Sequence, residues 1–261
     1  MAIRVHRSHM HQGHLLLVNN QHPLPTSFQP HTLEVWTHEQ AEHVQQQQTI
    51  QLEKSSLQHL SALMKESAAD GEIIVVSGYR SVEEQQQIYE QSLLDNGADF
   101  TARFVARPHE SEHQTGLAVD VGQYKEQVDL LCPSFPDEAA CLRFKQLAAS
   151  YGFIQRYKEE KKSLTGIDCE PWHFRYVGYP HAIIMEQRGL CLEEYITMLR
   201  LYSPFTPLVF PTETAPIMIY FVAAKEGEST LLPVDLNSYY QLSGNNVDGF
   251  IVTVFPAGRL S

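Results

Sequence analysis

Two short stretches hold most of the side chains able to break bonds. The first is Ser111-Glu-His113-Gln-Thr-Gly116-Leu-Ala-Val-Asp120, and the second is Glu170-Pro-Trp-His173-Phe-Arg-Tyr176. They supply two imidazoles, His113 and His173, together with the carboxylates of Asp120 and Glu170. A catalytic zinc takes three protein ligands from His and Asp/Glu and keeps an open position for water. A further group, not bound to the metal, must take the proton from that water. Two His, one ligating Asp and one free Glu would fill these roles. Spacing leaves the choice open. His113 and Asp120 are seven apart, too loose for a pair on one helical face. Glu170 and His173 are three apart, which places them on opposite faces of a regular strand. Pro171 lies between them and could bend the chain so that both face one metal. On spacing alone, a buried His paired with a carboxylate stands level with a metal site.

The elements that must position these residues are legible in outline. Residues 73–76 form a β-branched run of strand length, 117–121 a second short apolar run, and 172–177 a third strand. Leu57, Leu60, Leu63 and Met64 recur at helical spacing within 52–69, with Gly71 as a stop. Ser81-Val-Glu-Glu84 has the spacing of a capping box, so a helix starts there and is expected to end near Asn96-Gly97. Asp137 is expected to cap a helix through Ala149, with Gly152 just past its end. Residues 182–188 and 192–201 read as helices.

After Tyr202 the composition changes. Pro204, Pro207 and Pro211 mark a linker, followed by strand-like runs at 217–223, 239–242 and 250–255. The expected fold is α+β: a small antiparallel sheet carrying the site and flanked by helices over 1–203, then a β-rich C-terminal extension over 204–261. A sheet of two or three strands is marginal alone, so the extension is expected to dock on the catalytic part or on a second subunit of a homodimer. Residues 1–30 read as a leading segment in which His6, His9, His11 and His14 belong to a solvated tail rather than a metal tract. Glutamines 45–48 read as a solvated helix or loop.

Bulk composition excludes several classes. The 261 residues, 43% of them hydrophobic, can bury one core with a small appended domain. A formal net charge of -12 repels nucleic-acid phosphates and anionic membranes. No stretch approaches the roughly 20 apolar residues of a membrane span. The run Leu15-Leu16-Leu17-Val18 is too short for a signal-peptide core of roughly 7–15 residues, so the expected location is the cytoplasm. Cys132, Cys141, Cys169 and Cys191 form no Cys-x-x-Cys pair and suit a reducing compartment without a disulfide framework.

The two polar segments resemble those of the zinc D-Ala-D-Ala peptidases, the VanX/VanY/VanXY group of vancomycin-resistance proteins. The pattern Ser-x-His-x6-Asp followed by Glu-x-x-His is met by Ser111, His113, Asp120, Glu170 and His173. The likeness extends to Ser77-Gly-Tyr-Arg-Ser81, to Gln85, to Leu16-Leu-Val-Asn19 with His22-Pro-Leu24, and to the tail Tyr240-Gln-Leu-Ser-Gly-Asn-Asn-Val-Asp-Gly249-Phe. It is nearest to the bifunctional VanXY type. The resemblance implies that His113, Asp120 and His173 bind zinc. It makes Glu170 the general base and then general acid, Arg80 the oxyanion partner, and Ser111 and Gln85 the residues that hold the terminal D-Ala. An exposed helix face is the other reading of Gln85, and a surface ion pair that of Arg80. Tyr79, Trp172 and Tyr176 would shape the core and the cleft walls.

The implied substrates are free D-Ala-D-Ala and UDP-muramyl pentapeptide, whose removal would deprive vancomycin of its target. In the loop before Ser111, where relatives often have Gly or Asn, this chain has Pro108-His109-Glu110. Cys169 beside Glu170 raises a cysteine-peptidase reading, which His173 contradicts because it is already needed as a ligand. An L,D-carboxypeptidase that trims tetrapeptides, and a non-catalytic zinc-containing binding module, are the competing readings.

Overall fold

The structure, a computed structural model, describes residues 2–37, 49–69, 71–227, 229–234 and 238–256. Glutamines 45–48 lie outside the described residues. In chain order the strands and helices are β1 (Ala2–His6), β2 (Leu33–Val35), β3 (Gln51–Glu53), α1 (Lys54–Glu66), β4 (Ile73–Ser77), α2 (Val82–Phe104), β5 (Ala118–Gln123), α3 (Ala139–Ala148), β6 (Phe153–Tyr157), α4 (Lys162–Thr165), β7 (Glu170–Tyr176), α5 (His181–Arg188), α6 (Leu192–Leu199), β8 (Leu208–Phe210), β9 (Ile217–Ala223), β10 (Ser229–Pro233), β11 (Tyr239–Gly244) and β12 (Gly249–Phe255). The chain divides into two compact units, Asn19–Cys191 and Met1–Val18 with Leu192–Ser261. The proline-marked linker therefore lies inside the second unit, after α6, and the leading residues share that unit with the β-rich end.

In the first unit the sheet order is β4-β5-β7-β6, every pair antiparallel. Val119 and Val121 of β5, Phe174 of β7 and Phe153 of β6 are buried in one cluster with Leu60 and Leu63 of α1 and Phe144 of α3. Phe135, Phe144 and Phe174 meet edge to face, with ring centroids 4.9–5.8 Å apart. Alternation along β5 and β7 then turns Asp120, His173 and Arg175 to the other face. The helix-period reading of 52–69 and the strand readings at 73–76, 117–121 and 172–177 correspond to α1, β4, β5 and β7.

In the second unit, β11-β12-β9-β8 form an antiparallel sheet, and β1 pairs with β10. Phe250 and Val252 pack there with Val5, Met10, Tyr220 and Leu232.

Several expectations are corrected. Residues 15–18 are buried, and His11 Nδ1 lies 2.6 Å from Asn246 Oδ1, so the leading residues are not a solvated tail. Their polar composition hid a strand that finds its partner more than 200 residues away. The helix at Ser81 has the expected capping box, Ser81 Oγ accepting from Glu84 N and Glu84 Oε2 accepting from Ser81 N. Its first helical stretch ends at Gly97 as expected, where the backbone leaves helical geometry at φ 81; what the sequence did not show is a second helical stretch that follows at once and runs to Phe104. Asp137 does not cap α3; Glu138 holds that position without a side-chain bond, and Asp137 binds Lys145 Nζ at 2.5 Å. Strand β6 has no counterpart in the sequence reading, because Gln155 and Arg156 break its apolar run.

Candidate metal centre

The centre is built on a row across the sheet. Register pairs Ser77 of β4 with Asp120 of β5, and Asp120 with His173 of β7. Residues directly opposite on neighbouring strands present their side chains on the same face, so three polar groups line up across the sheet on the face opposite its apolar core. Asp120 Oδ1 lies 2.9 Å from His173 Nδ1.

His113 comes from a 3-10 turn, Glu112–Thr115, which ends at Gly116 with φ 72. A side chain at Gly116 would be strained and would meet Leu33 Cδ2 at 2.7 Å, so glycine is required where the chain turns into β5. His113 Nδ1 donates to the carbonyl of Gly78 at 2.6 Å, which fixes its proton there and leaves Nε2 as a lone pair 3.1 Å from Asp120 Oδ2. Gly78 is itself irreplaceable: a Cβ would lie 2.4 Å from the Gln51 carbonyl.

Glu170 reaches the same face through an irregularity. Pairing runs Gln155↔Phe174 and then Tyr157↔Glu170, so two steps on β6 answer four on β7. The extra residues lie where Pro171, which has no N–H to give a ladder, is tolerated. The resulting bulge overrides the alternation that would turn Glu170 away from His173, and places Glu170 Oε2 3.8 Å from His173 Nδ1.

His113, Asp120 and His173 are buried, and each offers a ligand atom within 4.8 Å of the others. Ligands about 2.0–2.1 Å from a tetrahedral zinc stand roughly 3.3 Å apart, so two nitrogens and one carboxylate at these separations fit zinc with a position left for water. Electrostatics agree. Burial, then Arg80, holds the His113 pKa below its ordinary value and keeps the ring neutral, as a ligand must be. Burial opposes the Asp120 charge, but His113, His173 and Arg80 outweigh it and keep the carboxylate ionised. Burial pushes the Glu170 carboxyl up to about 8.

Arg80 precedes α2 and donates through Nε to Ser77 Oγ at 2.9 Å and through a terminal nitrogen to Asp120 Oδ2 at 2.6 Å. It belongs to the site, not to a surface pair. Gln85 is 1% exposed, which removes the exposed-face reading. Its Nε2 donates to the Ala106 carbonyl at 2.8 Å, and its Oε1 has no hydrogen-bond partner. Arg80, Gln85, Ser111, Glu170 and Trp172 line one cleft with the three candidate ligands. Tyr176 lies in the core. Tyr157, absent from the sequence reading, also lines the cleft, its ring centroid 5.0 Å from that of His173. Burial raises the Cys169 thiol pKa, opposite to what a nucleophile needs.

The sequence reading also passed over Glu112, Arg156 and Arg175. Glu112 Oε1 accepts from Arg156 Nε at 2.9 Å and lies 2.8 Å from a terminal nitrogen of Arg175, and all three side chains are fully buried. A signal was present: Arg175 follows His173 by two in a strand, so both occupy one face.

A family model described as VanY, D-alanyl-D-alanine carboxypeptidase, matches residues 49–179. The chain is 42% identical over 182 residues to the bifunctional D-Ala-D-Ala dipeptidase and D-Ala-D-Ala carboxypeptidase VanXYC of Enterococcus gallinarum, covering 69% of this chain and 92% of that one. The crystal structure of the vancomycin-resistance D,D-dipeptidase VanXYg, in complex with a D-Ala-D-Ala phosphinate analogue, superposes with a TM-score of 0.89 at 41% identity, covering 97% of this chain and 98% of that one. The D,D-pentapeptidase VanY of a VanB-type resistance cassette, in complex with Zn(II), superposes with a TM-score of 0.54 at 31% identity over 70% of this chain and 98% of its own.

Proposed function

Because the chain belongs to the VanY D-alanyl-D-alanine carboxypeptidase family, we propose that it is a zinc-dependent D,D-peptidase that hydrolyses the D-Ala-D-Ala bond of cell-wall precursors. The observation that carries this reading is the buried His113–Asp120–His173 cluster with Glu170 beside it in one cleft. His113 Nε2, Asp120 and His173 Nδ1 would hold the zinc. When bound, zinc polarises the scissile carbonyl and lowers the pKa of a water.

The chain's own groups do the rest. Glu170, beside His173 in the cleft, accepts the proton of the attacking water and returns it to the leaving amine. Arg80, held by Ser77, meets the charge that develops on the carbonyl oxygen. Gln85, whose Oε1 has no hydrogen-bond partner, and Ser111 line the same cleft and are assigned to hold the terminal D-Ala. Trp172 and Tyr157 wall the site and restrict water.

The proposed substrates are free D-Ala-D-Ala and the UDP-muramyl pentapeptide. Removing both leaves vancomycin without its target and so confers resistance. We place the activity in the cytoplasm, where the four free thiols are kept reduced. No helix among the described residues is long and apolar enough to cross a membrane. The deciding experiment measures D-Ala released from dipeptide, pentapeptide and tetrapeptide by the purified, zinc-loaded protein. Faster release from an L-centre than from D-Ala-D-Ala would replace this reading with an L,D-carboxypeptidase, and no release from any would leave a binding module. A homodimer is proposed as the assembly, and sedentation of the purified chain by ultracentrifugation tests it.

A further inference from the structure

Glu112 is next to a candidate ligand in sequence, yet its carboxylate serves a different one in space. Its Oε1 is occupied by Arg156 and Arg175. Its Oε2 has no hydrogen-bond partner, is buried, and lies 3.5 Å from His173 Nε2, which is also buried and without a hydrogen bond. Each orphaned atom is therefore the other's nearest remedy. A closure of a few tenths of an ångström makes an ordinary hydrogen bond of about 3 Å. The two arginines keep Glu112 ionised, and an ionised carboxylate only accepts.

We propose that Glu112 is the positioning residue for His173: it holds the ring proton on Nε2 and so commits the Nδ1 lone pair to zinc. This rests on the zinc site proposed above. The geometry gives each imidazole its own orienter, the Gly78 carbonyl for His113 and Glu112 for His173. The two differ in kind. Gly78 offers a neutral acceptor. Glu112 offers a charge, itself anchored to β6 by Arg156 and to β7 by Arg175. An anionic partner raises the basicity of the ligand as well as orienting it. Glu112 also joins the two motifs physically, since it leaves the turn that carries His113 and ends at the strand that carries His173.

The experiment uses the full chain. Zinc affinity is measured by competition with a chromogenic chelator for wild type, Glu112→Gln, Glu112→Asp, and Leu63→Ala as a control that weakens the core away from the site. Glu112→Gln keeps the size of the side chain but can turn an N–H toward His173; it is expected to weaken zinc binding about 10–100-fold. Glu112→Asp keeps the charge but withdraws it, and is expected to weaken binding about tenfold or more; it serves as the test if Glu112→Gln does not fold. Leu63→Ala is expected to lower the melting temperature and leave affinity within twofold. Nitrogen-15 spectra of histidine in the zinc-loaded protein supply a second readout, with His173 expected as the Nε2–H form in wild type and altered in the Gln variant. Affinity within twofold of wild type for every folded Glu112 variant overturns the proposal and leaves the zinc reading standing. A wild type that binds no zinc overturns both.

Discussion

Two four-stranded antiparallel sheets in this chain have the same construction and opposite contents. In β11-β12-β9-β8 the buried positions are mostly apolar, among them Ile219, Tyr220, Phe250 and Val252, and none carries a charge. In β4-β5-β7-β6 one face is as apolar, with Val119, Phe153 and Phe174. The other buries Asp120, Glu170, His173, Arg156 and Arg175. Buried charge is tolerated only when paired. The site sheet meets that condition by cross-strand register and by Glu112 between two arginines. The lesson is that one antiparallel framework can bury charged groups where register sets them opposite partners, and otherwise buries apolar ones.

The comparison can be broken most severely at the site sheet. Asp120→Ala and His173→Ala are expected to reduce zinc from about one per chain to almost none, read by elemental analysis. Glu170→Ala is expected to keep zinc and lose about 10²–10⁴-fold in turnover. Full zinc in both ligand variants would show that the row does not hold the metal. Arg80→Ala is expected to lower kcat by about 10²–10³-fold, more than it raises KM, because the charge it meets is complete only in the transition state. A change confined to KM would make Arg80 a substrate-binding group instead.

Phe250→Ala tests the other sheet. Truncating a fully buried Phe costs about 3–5 kcal/mol. The melting temperature of its unit should fall, while zinc per folded chain and dipeptide kcat/KM stay constant. Lost zinc would show that the two sheets are not separable in function.

The site sheet should also carry a pH signature that the packing sheet lacks. In the metal-free protein burial opposes the His173 charge, but Asp120 and Glu112 outweigh it and raise its pKa from 6.5 to about 9. A folded pKa above the unfolded one gives stability that is full below pH 6.5 and lost as pH rises through about 9. Glu170, raised from 4.5 to about 8, acts in the same direction over a lower window. The melting temperature of the metal-free protein is therefore expected to fall from pH 6.5 to 9, and to fall less in Glu112→Gln, where the raised pKa loses a cause. A flat profile would mean that these groups are not buried together.

The smallest effect is expected in the loop before Ser111. His109 sits at φ 69, a left-handed conformation that Gly or Asn adopts more readily. His109→Gly should raise the melting temperature slightly or leave it unchanged, and leave zinc content unchanged. A shifted ratio of dipeptide to pentapeptide cleavage would show that the imidazole itself touches substrate.

Much of this was legible in the residues. The capping box at Ser81 started α2 as expected, because side-chain caps act within one turn of chain. Apolar runs marked β4, β5 and β7, because a strand packed on a core needs them. The ends of elements were less legible. Gly97 ends one helical stretch as read, but nothing local showed that a second begins directly beyond it, and Asp137 had a better partner in Lys145 than the helix terminus. Strand β6 was hidden because Arg156 is buried by a partner 44 residues earlier in the chain, Glu112.

What the sequence determined by itself was the candidate donor set: two imidazoles and two carboxylates, in segments whose order and spacing resemble one family. Side-chain chemistry does not depend on the fold, so the identity of the groups could be read directly. What only the tertiary structure decided was which of them face one another. Three residues separate Glu170 from His173, and alternation sends them to opposite faces; the bulge at Pro171 reverses that. Asp120 meets His173 through strand register, and Glu112 passes its own neighbour His113 to reach His173. Register and bulges are set by the pairing of distant segments, and no local stretch of chain contains that information.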